Sequence, residues 1–155
     1  MRKISQLGIG LFGLTLLFAA CNKSNDAIPN TPAIQMSATV FGGAWNTTLA
    51  TAMIVYDTAN TREKLELNGG YVQPAPLNFY EGLKVEIDSF YGIGNYTITQ
   101  NGPVKAWFVV TTFDVPAKSG TISVSSYSTK QVTGKFSFAT DTIQATNGEY
   151  NLHVQ

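Results

Sequence analysis

The most constraining feature of the sequence is an alternation of apolar and polar side chains that recurs along most of the chain. It is clearest in GLKVEIDSF (82–90), where Leu83, Val85 and Ile87 are separated by charged residues. Successive side chains of a β-strand point to opposite faces of a sheet, so a period of two predicts a strand with one buried and one solvated face.

Similar patterns, bounded by Gly, Asn or Pro, predict eight or nine short strands. They lie in IQMSATVF (34–41), AWNTTLA leading into TAMIVYD (51–57), REKLELNG (62–69), GLKVEIDSF (82–90), KAWFVVTTF (105–113), GTISVSSY (120–127), QVTGKFSFAT (131–140) and GEYNLHV (148–154). No segment after residue 33 sustains the 3.6-residue period of an amphipathic helix. The predicted fold is therefore one all-β domain over residues 34–155, either an antiparallel β-sandwich or a flattened barrel.

Three local features add to this prediction. Gly134 inside a strand pattern indicates a bulge or a tight bend. YGIGNY (91–96) is interpreted as a turn, and Trp45 and Trp107, which lie in predicted strands, are expected in the core.

The composition narrows the classes of function. Charged residues make up only 13% of the chain, with ten basic and ten acidic residues, so no basic patch indicates a nucleic-acid partner. Cys21 and His153 are the only residues of their types, which argues against a metal site built from several such ligands. A Ser-His-acid group would have to use His153, which alternates outward on the last predicted strand. We expect no cofactor.

The N-terminal residues have the layout of a secretory signal peptide. Arg2 and Lys3 precede an uncharged apolar run from Leu7 to Ala20. That run is shorter than the roughly 20 residues that cross a hydrocarbon core, so we interpret residues 1–20 as a cleaved signal rather than a membrane span.

The end of this run, LLFAAC (16–21), resembles the lipobox of bacterial lipoproteins, although Phe18 stands where Leu is usual. The resemblance implies cleavage before Cys21 and attachment of diacylglycerol and further acyl chains, such as palmitate, to that cysteine. Each buried methylene contributes about 0.8 kcal/mol, so several chains would anchor the protein durably. The alternative is a plain signal peptide with Cys21 near the cut by coincidence.

Residues 22–33, NKSNDAIPNTPA, are polar and contain two prolines, and we predict a flexible tether. Lys23 and Asp26 resemble part of the short export signals that send Bacteroidota lipoproteins to the cell surface. Both the periplasmic and the surface face of the outer membrane stay open as locations.

The C-terminal third resembles small Bacteroidota lipoproteins that contain a domain of unknown function. The matching residues are Ser119-Gly120-Thr121, Val132 to Phe138 and Thr146-Asn147-Gly148. That family has no established activity, so the resemblance implies an all-β fold and an envelope location, and it assigns no functional residue.

Two groups of residues are candidates for function. Glu86 and Asp88 lie two apart on a predicted strand and share a face, at a spacing suited to a glycosidase pair or to part of a calcium site. The alternative is a solvated outer face beside Lys84. Tyr80 and Tyr91, among aromatic residues crowded around Gly, Asn and Pro, could stack on a sugar or contact a protein partner. The alternative is that Phe79, Phe90 and Tyr96 are core residues and only Tyr80 and Tyr91 are exposed.

Two hypotheses follow. The first is a non-catalytic envelope module, bound to the membrane by its lipid anchor, that binds a protein or glycan or has a structural role. The second is an exported glycan- or calcium-dependent hydrolase that uses Glu86 and Asp88.

The lipid anchor gives the first testable prediction. Replacing the thiol in Cys21→Ala removes the acceptor for the lipid, so the variant should leave the membrane fraction, while the unchanged protein sediments with membranes. A variant that still sediments with membranes, or a mature protein whose residue 21 is unmodified by mass spectrometry, would contradict the lipobox interpretation.

Overall fold

The fold of this chain is known from a computed structural model, which describes residues 35–58, 62–72, 80–111 and 113–155, without the side chains of residues 57, 71, 72 and 80. Eleven strands follow one another along the described chain. They are β1 (Gln35–Val40), β2 (Gly43–Thr47), β3 (Leu49–Asp57), β4 (Arg62–Val72), β5 (Tyr80–Ile87), β6 (Gly94–Thr99), β7 (Val104–Val110), β8 (Phe113–Pro116), β9 (Ser119–Tyr127), β10 (Gln131–Ala139) and β11 (Gln144–His153).

The strands form two separate antiparallel sheets. One has six strands in the order β2-β1-β11-β10-β9-β6, and the other has five in the order β3-β4-β5-β7-β8. Neither sheet closes on itself, so the all-β prediction is confirmed and the sandwich is favoured over the barrel.

The strands that the alternation predicted are present, and two more accompany them. The sequence pattern indicated one strand over residues 105–113, but the chain turns back after Val110. β8 therefore begins at Phe113, which is the register partner of Val110. β6 was missed because Gly94 and Asn95 suggested a turn, although Tyr96 and Ile98 alternate into the core.

β2 lies across the strands of the five-stranded sheet rather than along them. Gly70 of β4 lies opposite Gly82 of β5, and Gly82 lies opposite Val109 of β7, so these three residues form a row perpendicular to the strands. At one end of β2 the Thr47 hydroxyl donates a hydrogen bond to the Gly70 carbonyl, and at the other end Gly43 lines the same hollow as Gly82 and Val109. β2 therefore extends across the ends of β4, β5 and β7.

The core lies between the two sheets. Its fully enclosed side chains come from both sheets; the largest are Phe138, Met36, Leu65, Leu67, Ile87, Ile98, Ile122 and Leu152. The aromatic part of the core includes Phe108, whose ring centroid lies 4.9 Å from that of Phe138.

A bulge next to Gly134 illustrates how tightly the six-stranded sheet is packed. Register shifts between Thr133 and Gly134, as the glycine inside a strand pattern predicted. Tyr150 lies over Gly134, and its hydroxyl donates a 2.9 Å hydrogen bond to the Ser123 carbonyl. Burial raises the pKa of Tyr150, so this phenol stays protonated as a donor.

The signal peptide (1–20), Cys21, the tether (22–33), Ile34 and Phe79 lie outside the described residues, so what the sequence predicts for them stays a prediction. Among the residues that the structure describes, no helix is long and apolar enough to cross a bilayer.

The packing at Gly134 predicts the effect of adding one methyl group. A Cβ there would lie 1.9 Å from the Ser123 carbonyl oxygen and 2.4 Å from the Tyr150 hydroxyl, so Gly134→Ala should lower the free energy of unfolding by about 2 kcal/mol in urea denaturation. Gly43→Ala is the control, because its Cβ would meet only the Val40 carbonyl at 3.6 Å and should change stability little. Equal stability of the two variants would contradict the packing described here.

Candidate functional site

Glu86 and Asp88 lie in a network of ion pairs on the outer face of the five-stranded sheet. The Glu86 carboxylate is 2.6 Å from Lys84 Nζ and 2.9 Å from Lys64 Nζ. Asp88 lies 3.6 Å from Lys105 and 3.9 Å from Lys64. We call the six residues of this network the charge cluster: Lys64, Glu66, Lys84, Glu86, Asp88 and Lys105.

The charge cluster keeps Glu86 ionised. Burial opposes its charge, but the hydrogen bonds and charges of Lys84 and Lys64 outweigh that effect and lower the pKa of Glu86. The same hydrogen bonds, from Lys64 to Glu86 and Glu66, overcome the effect of burial on Lys64 and raise its pKa. A glycosidase acid needs the opposite, a carboxyl whose pKa is raised. This geometry favours the interpretation of Glu86 and Asp88 as part of an outer face on which acidic side chains are paired with lysines.

The described residues contain no group of three or more His, Cys, Asp or Glu side chains that could hold a metal ion. His153 is exposed at the end of β11, with Nδ1 3.2 Å from the Lys130 carbonyl oxygen. The described part of the chain therefore offers no constellation of ligands around Glu86 and Asp88.

Tyr80 and Tyr91 do not meet. Tyr80 begins β5, although its side chain is outside the described part, whereas Tyr91 follows the opposite end of that strand. The Tyr91 side chain is 70% exposed, and its ring centroid lies 4.6 Å from that of buried Tyr96. Phe90 and Tyr96 are core residues, as the alternative interpretation of the aromatic residues predicted.

The two tryptophans were both expected in the core, but each is only half-buried and they lie on different faces of the sheets. Trp107 is half-buried on the outer face of β7, where Lys84 Nζ is 5.2 Å from its ring centroid. Trp45 is half-buried on the inner side of β2 and packs against the core.

Where β2 crosses the five-stranded sheet, the sandwich stays open at one end. The opening is a hollow of about 260 Å³ between the β1–β2 hairpin and the ends of β5 and β7. We call it the end cleft, bounded on the hairpin side by Phe41, Gly43 and Trp45 and on the other side by Glu81, Phe108 and Val110. Gly43 lies opposite Val40 in the hairpin and lines the cleft. Because glycine has no side chain, this position leaves room in the cleft.

Glu81 brings a carboxylate to the inner side of the sheet. Leu83, Val85 and Ile87 on the same strand are buried, and Glu81 continues their alternation, so it shares their inward face. Its neighbours across the sheet are Tyr71 on β4, whose side chain is outside the described part, and Val110 on β7. The Glu81 side chain is partly accessible at the edge of the end cleft.

Phe41 forms the outer edge of the end cleft in an unusual backbone conformation. It has φ 53° and Gly42 has φ 77°, so the hairpin turns through two residues in the left-handed region. A bulky residue rarely occupies that region, and the ring of Phe41 is also 74% exposed. An exposed aromatic ring at a costly position motivates a functional hypothesis for this turn.

A second hollow, of about 610 Å³, lies on the outer face of the six-stranded sheet. Most of its lining residues are polar or charged, with Asn95, Ser123 and Ser137 around the exposed ion pair of Lys135 and Glu149, which lie 3.0 Å apart. Ligand sites are lined mostly by apolar residues with a few placed polar groups, and the set of residues that lines the end cleft fits that description better.

The sequence interpretation missed the end cleft. One signal was available, because an acidic residue at position 81 interrupts an otherwise apolar inward face. The other half of the cleft depends on the crossing of β2, which no local pattern around Phe41 or Trp45 encodes.

Comparisons of the chain with protein-family models, with curated proteins and with solved structures give no match.

The charge cluster predicts a pH-dependent contribution of Glu86 to stability. At pH 7, Glu86→Gln should lower the free energy of unfolding by about 1 kcal/mol, the upper end for solvent-accessible ion pairs. Because folding lowers the pKa of Glu86 below its usual 4.5, the stabilisation is complete above that value and disappears as pH falls through the folded-state pKa. The difference between the variant and the unchanged protein should therefore shrink in urea denaturation at pH 3.

The matched control is Glu149→Gln, which removes the fully accessible pair with Lys135 and should change stability by less than about 0.5 kcal/mol. If Glu86→Gln were as stable as the unchanged protein at pH 7, the ion pairs would not hold Glu86 as described.

Proposed function

We propose that this chain is an exported lipoprotein, held at the outer membrane of a bacterium by lipid on Cys21. We further propose that its β-sandwich is a non-catalytic binding module of the cell envelope that receives its ligand in the end cleft. The end cleft is the single observation that carries the binding role. The sequence around Cys21 supports the location.

The packing around the end cleft supports binding because it leaves apolar surface of the core open at one end of the sandwich. Phe108 and Leu83 belong to the core, yet both also line the cleft. Trp45 presents an aromatic ring there, and aromatic rings supply large contact area at little cost in conformational entropy.

The arrangement of acidic residues supports a non-catalytic role. The carboxylates that the hydrolase hypothesis requires, Glu86 and Asp88, are paired with Lys64, Lys84 and Lys105 on a face away from the cleft. Within the described residues no observation favours the hydrolase alternative.

A screen of small aromatic fragments tests the binding role even though the natural ligand is unidentified. Single-ring fragments added to the isotope-labelled mature protein should shift the amide signals of Gly43 and Glu81 and the Trp45 indole signal in NMR spectra. Signals near Tyr91 should stay unchanged, because Tyr91 lies at the other end of β5. The absence of shifts around the cleft across the whole set would contradict the binding role.

Two variants test whether the fragments bind in the end cleft itself. Gly43→Leu should fill the cleft and abolish the shifts, since a Cβ at Gly43 meets nothing closer than 3.6 Å. Phe41→Asn should relieve the left-handed strain and raise the free energy of unfolding by about 1 kcal/mol, while weakening fragment binding. A Phe41→Asn variant that binds fragments as well as the unchanged protein would remove Phe41 from the proposed site.

A further inference from the structure

The end cleft has one charged side chain among the described residues that line it, and that side chain is acidic. All of its other described lining residues are apolar or glycine, so Glu81 alone sets the sign of the charge in the cleft. A negative charge beside an apolar wall attracts cations and disfavours anions, and the low polarity of the wall strengthens that preference.

Glu81 also lacks the lysine partner that three acidic residues on the outer face of its sheet have. Glu66, Glu86 and Asp88 each pair with a lysine on the outer face. No hydrogen bond or ion pair joins Glu81 to another described residue. A carboxylate that is partly buried without a partner costs free energy, and a bound cation would offset that cost.

On the outer face of the same sheet, a cation of the chain itself lies between a carboxylate and an aromatic ring. Lys84 Nζ lies 2.6 Å from the Glu86 carboxylate and 5.2 Å from the centroid of the Trp107 ring. An ammonium group there has both a carboxylate partner and an aromatic face, which is a favourable combination for a cation. In the end cleft Glu81 and Trp45 supply a carboxylate and an aromatic ring, but no lysine or arginine lines the described part of the cleft.

We propose that the end cleft binds a small organic cation, in which an ammonium or guanidinium group pairs with Glu81 and a short apolar or aromatic stem lies between Trp45 and Phe108. The volume of about 260 Å³ is just below the roughly 300 to 1,000 Å³ of sites for drug-sized ligands, so a single ring or short chain fits. This proposal rests on the proposed function of the cleft as a binding site.

Three probes with the same ring and different charges test the proposal. Phenethylamine is a cation at pH 7, 2-phenylethanol is neutral, and 3-phenylpropionate is an anion. Titration of the mature protein, followed by the Trp45 indole signal in NMR spectra, should give a dissociation constant for the amine about tenfold lower than that for the alcohol, with the anion weakest. A tenfold difference is what one charge-assisted hydrogen bond of ordinary strength supplies.

Glu81→Gln should bring the amine to the affinity of the alcohol and leave the alcohol unchanged. Asp114→Asn is the matched control, because it removes the same charge from the same end of the sheet. Asp114 lies on the outer side there, opposite Val109 in the register of β7 and β8. The advantage of the amine over the alcohol should persist in that variant.

The outcomes separate the two proposals. Equal affinity for amine and alcohol, or an advantage of the amine that survives Glu81→Gln, would overturn the cation proposal and leave the cleft as an apolar binding site. If none of the probes binds, the cation proposal and the proposed function both fail. Loss of the advantage in Asp114→Asn would assign it to the general charge of the protein and would also overturn the role of Glu81.

Discussion

The structure depends on the contact by which β2 crosses the ends of the five-stranded sheet. The Thr47 hydroxyl is buried and donates to the Gly70 carbonyl, so the hydrogen bond ties the end of one sheet to the end of a strand in the other. The crossing needs Gly69, since a Cβ there would lie 2.6 Å from Met36 Sδ and 3.1 Å from the Trp45 ring. Because β2 is held across the sheet, its far end places Gly43 over the ends of β5 and β7 and leaves the end cleft open.

The distribution of charge on the two faces of β5 follows from the same geometry. Lys84 and Glu86 point outward. Register places Glu66 and Lys105 on either side of Glu86, and Lys64 reaches Glu86 from a diagonal position on β4, so the outward charges neutralise one another. Glu81 is on the inner face at the end of the strand, between Tyr71 of β4 and Val110 of β7. One strand thus presents a paired set of charges on its outer face and, on its inner face, a carboxylate without an ion-pair partner among the described residues, which borders the apolar cleft.

Much of the fold could be predicted from the sequence, because a half-buried strand is encoded locally. The alternation of Leu83, Val85 and Ile87 identified β5 and its buried face, and Gly134 marked a bulge that the structure confirms. β6 was missed because Gly94 and Asn95 hide a short strand within a turn signal. The end cleft could not be predicted, since Trp45 and Phe108 come to line one hollow only through long-range packing of the sheets. The acidic residues singled out from the sequence were Glu86 and Asp88, whereas the carboxylate at the cleft belongs to Glu81.

The fold and the end cleft both require that β2 crosses the five-stranded sheet at Gly69. Nuclear Overhauser measurements on the folded mature protein test it most directly, because they report which protons of the two sheets approach one another. The account predicts a cross-peak between the α-protons of Gly69 and the indole ring of Trp45, whose Cη2 lies 3.1 Å from the position of a Cβ at Gly69. Cross-peaks from Gly69 only to its strand neighbours Ala50 and Leu83, with none to Trp45 or Met36, would contradict the crossing and the cleft it creates.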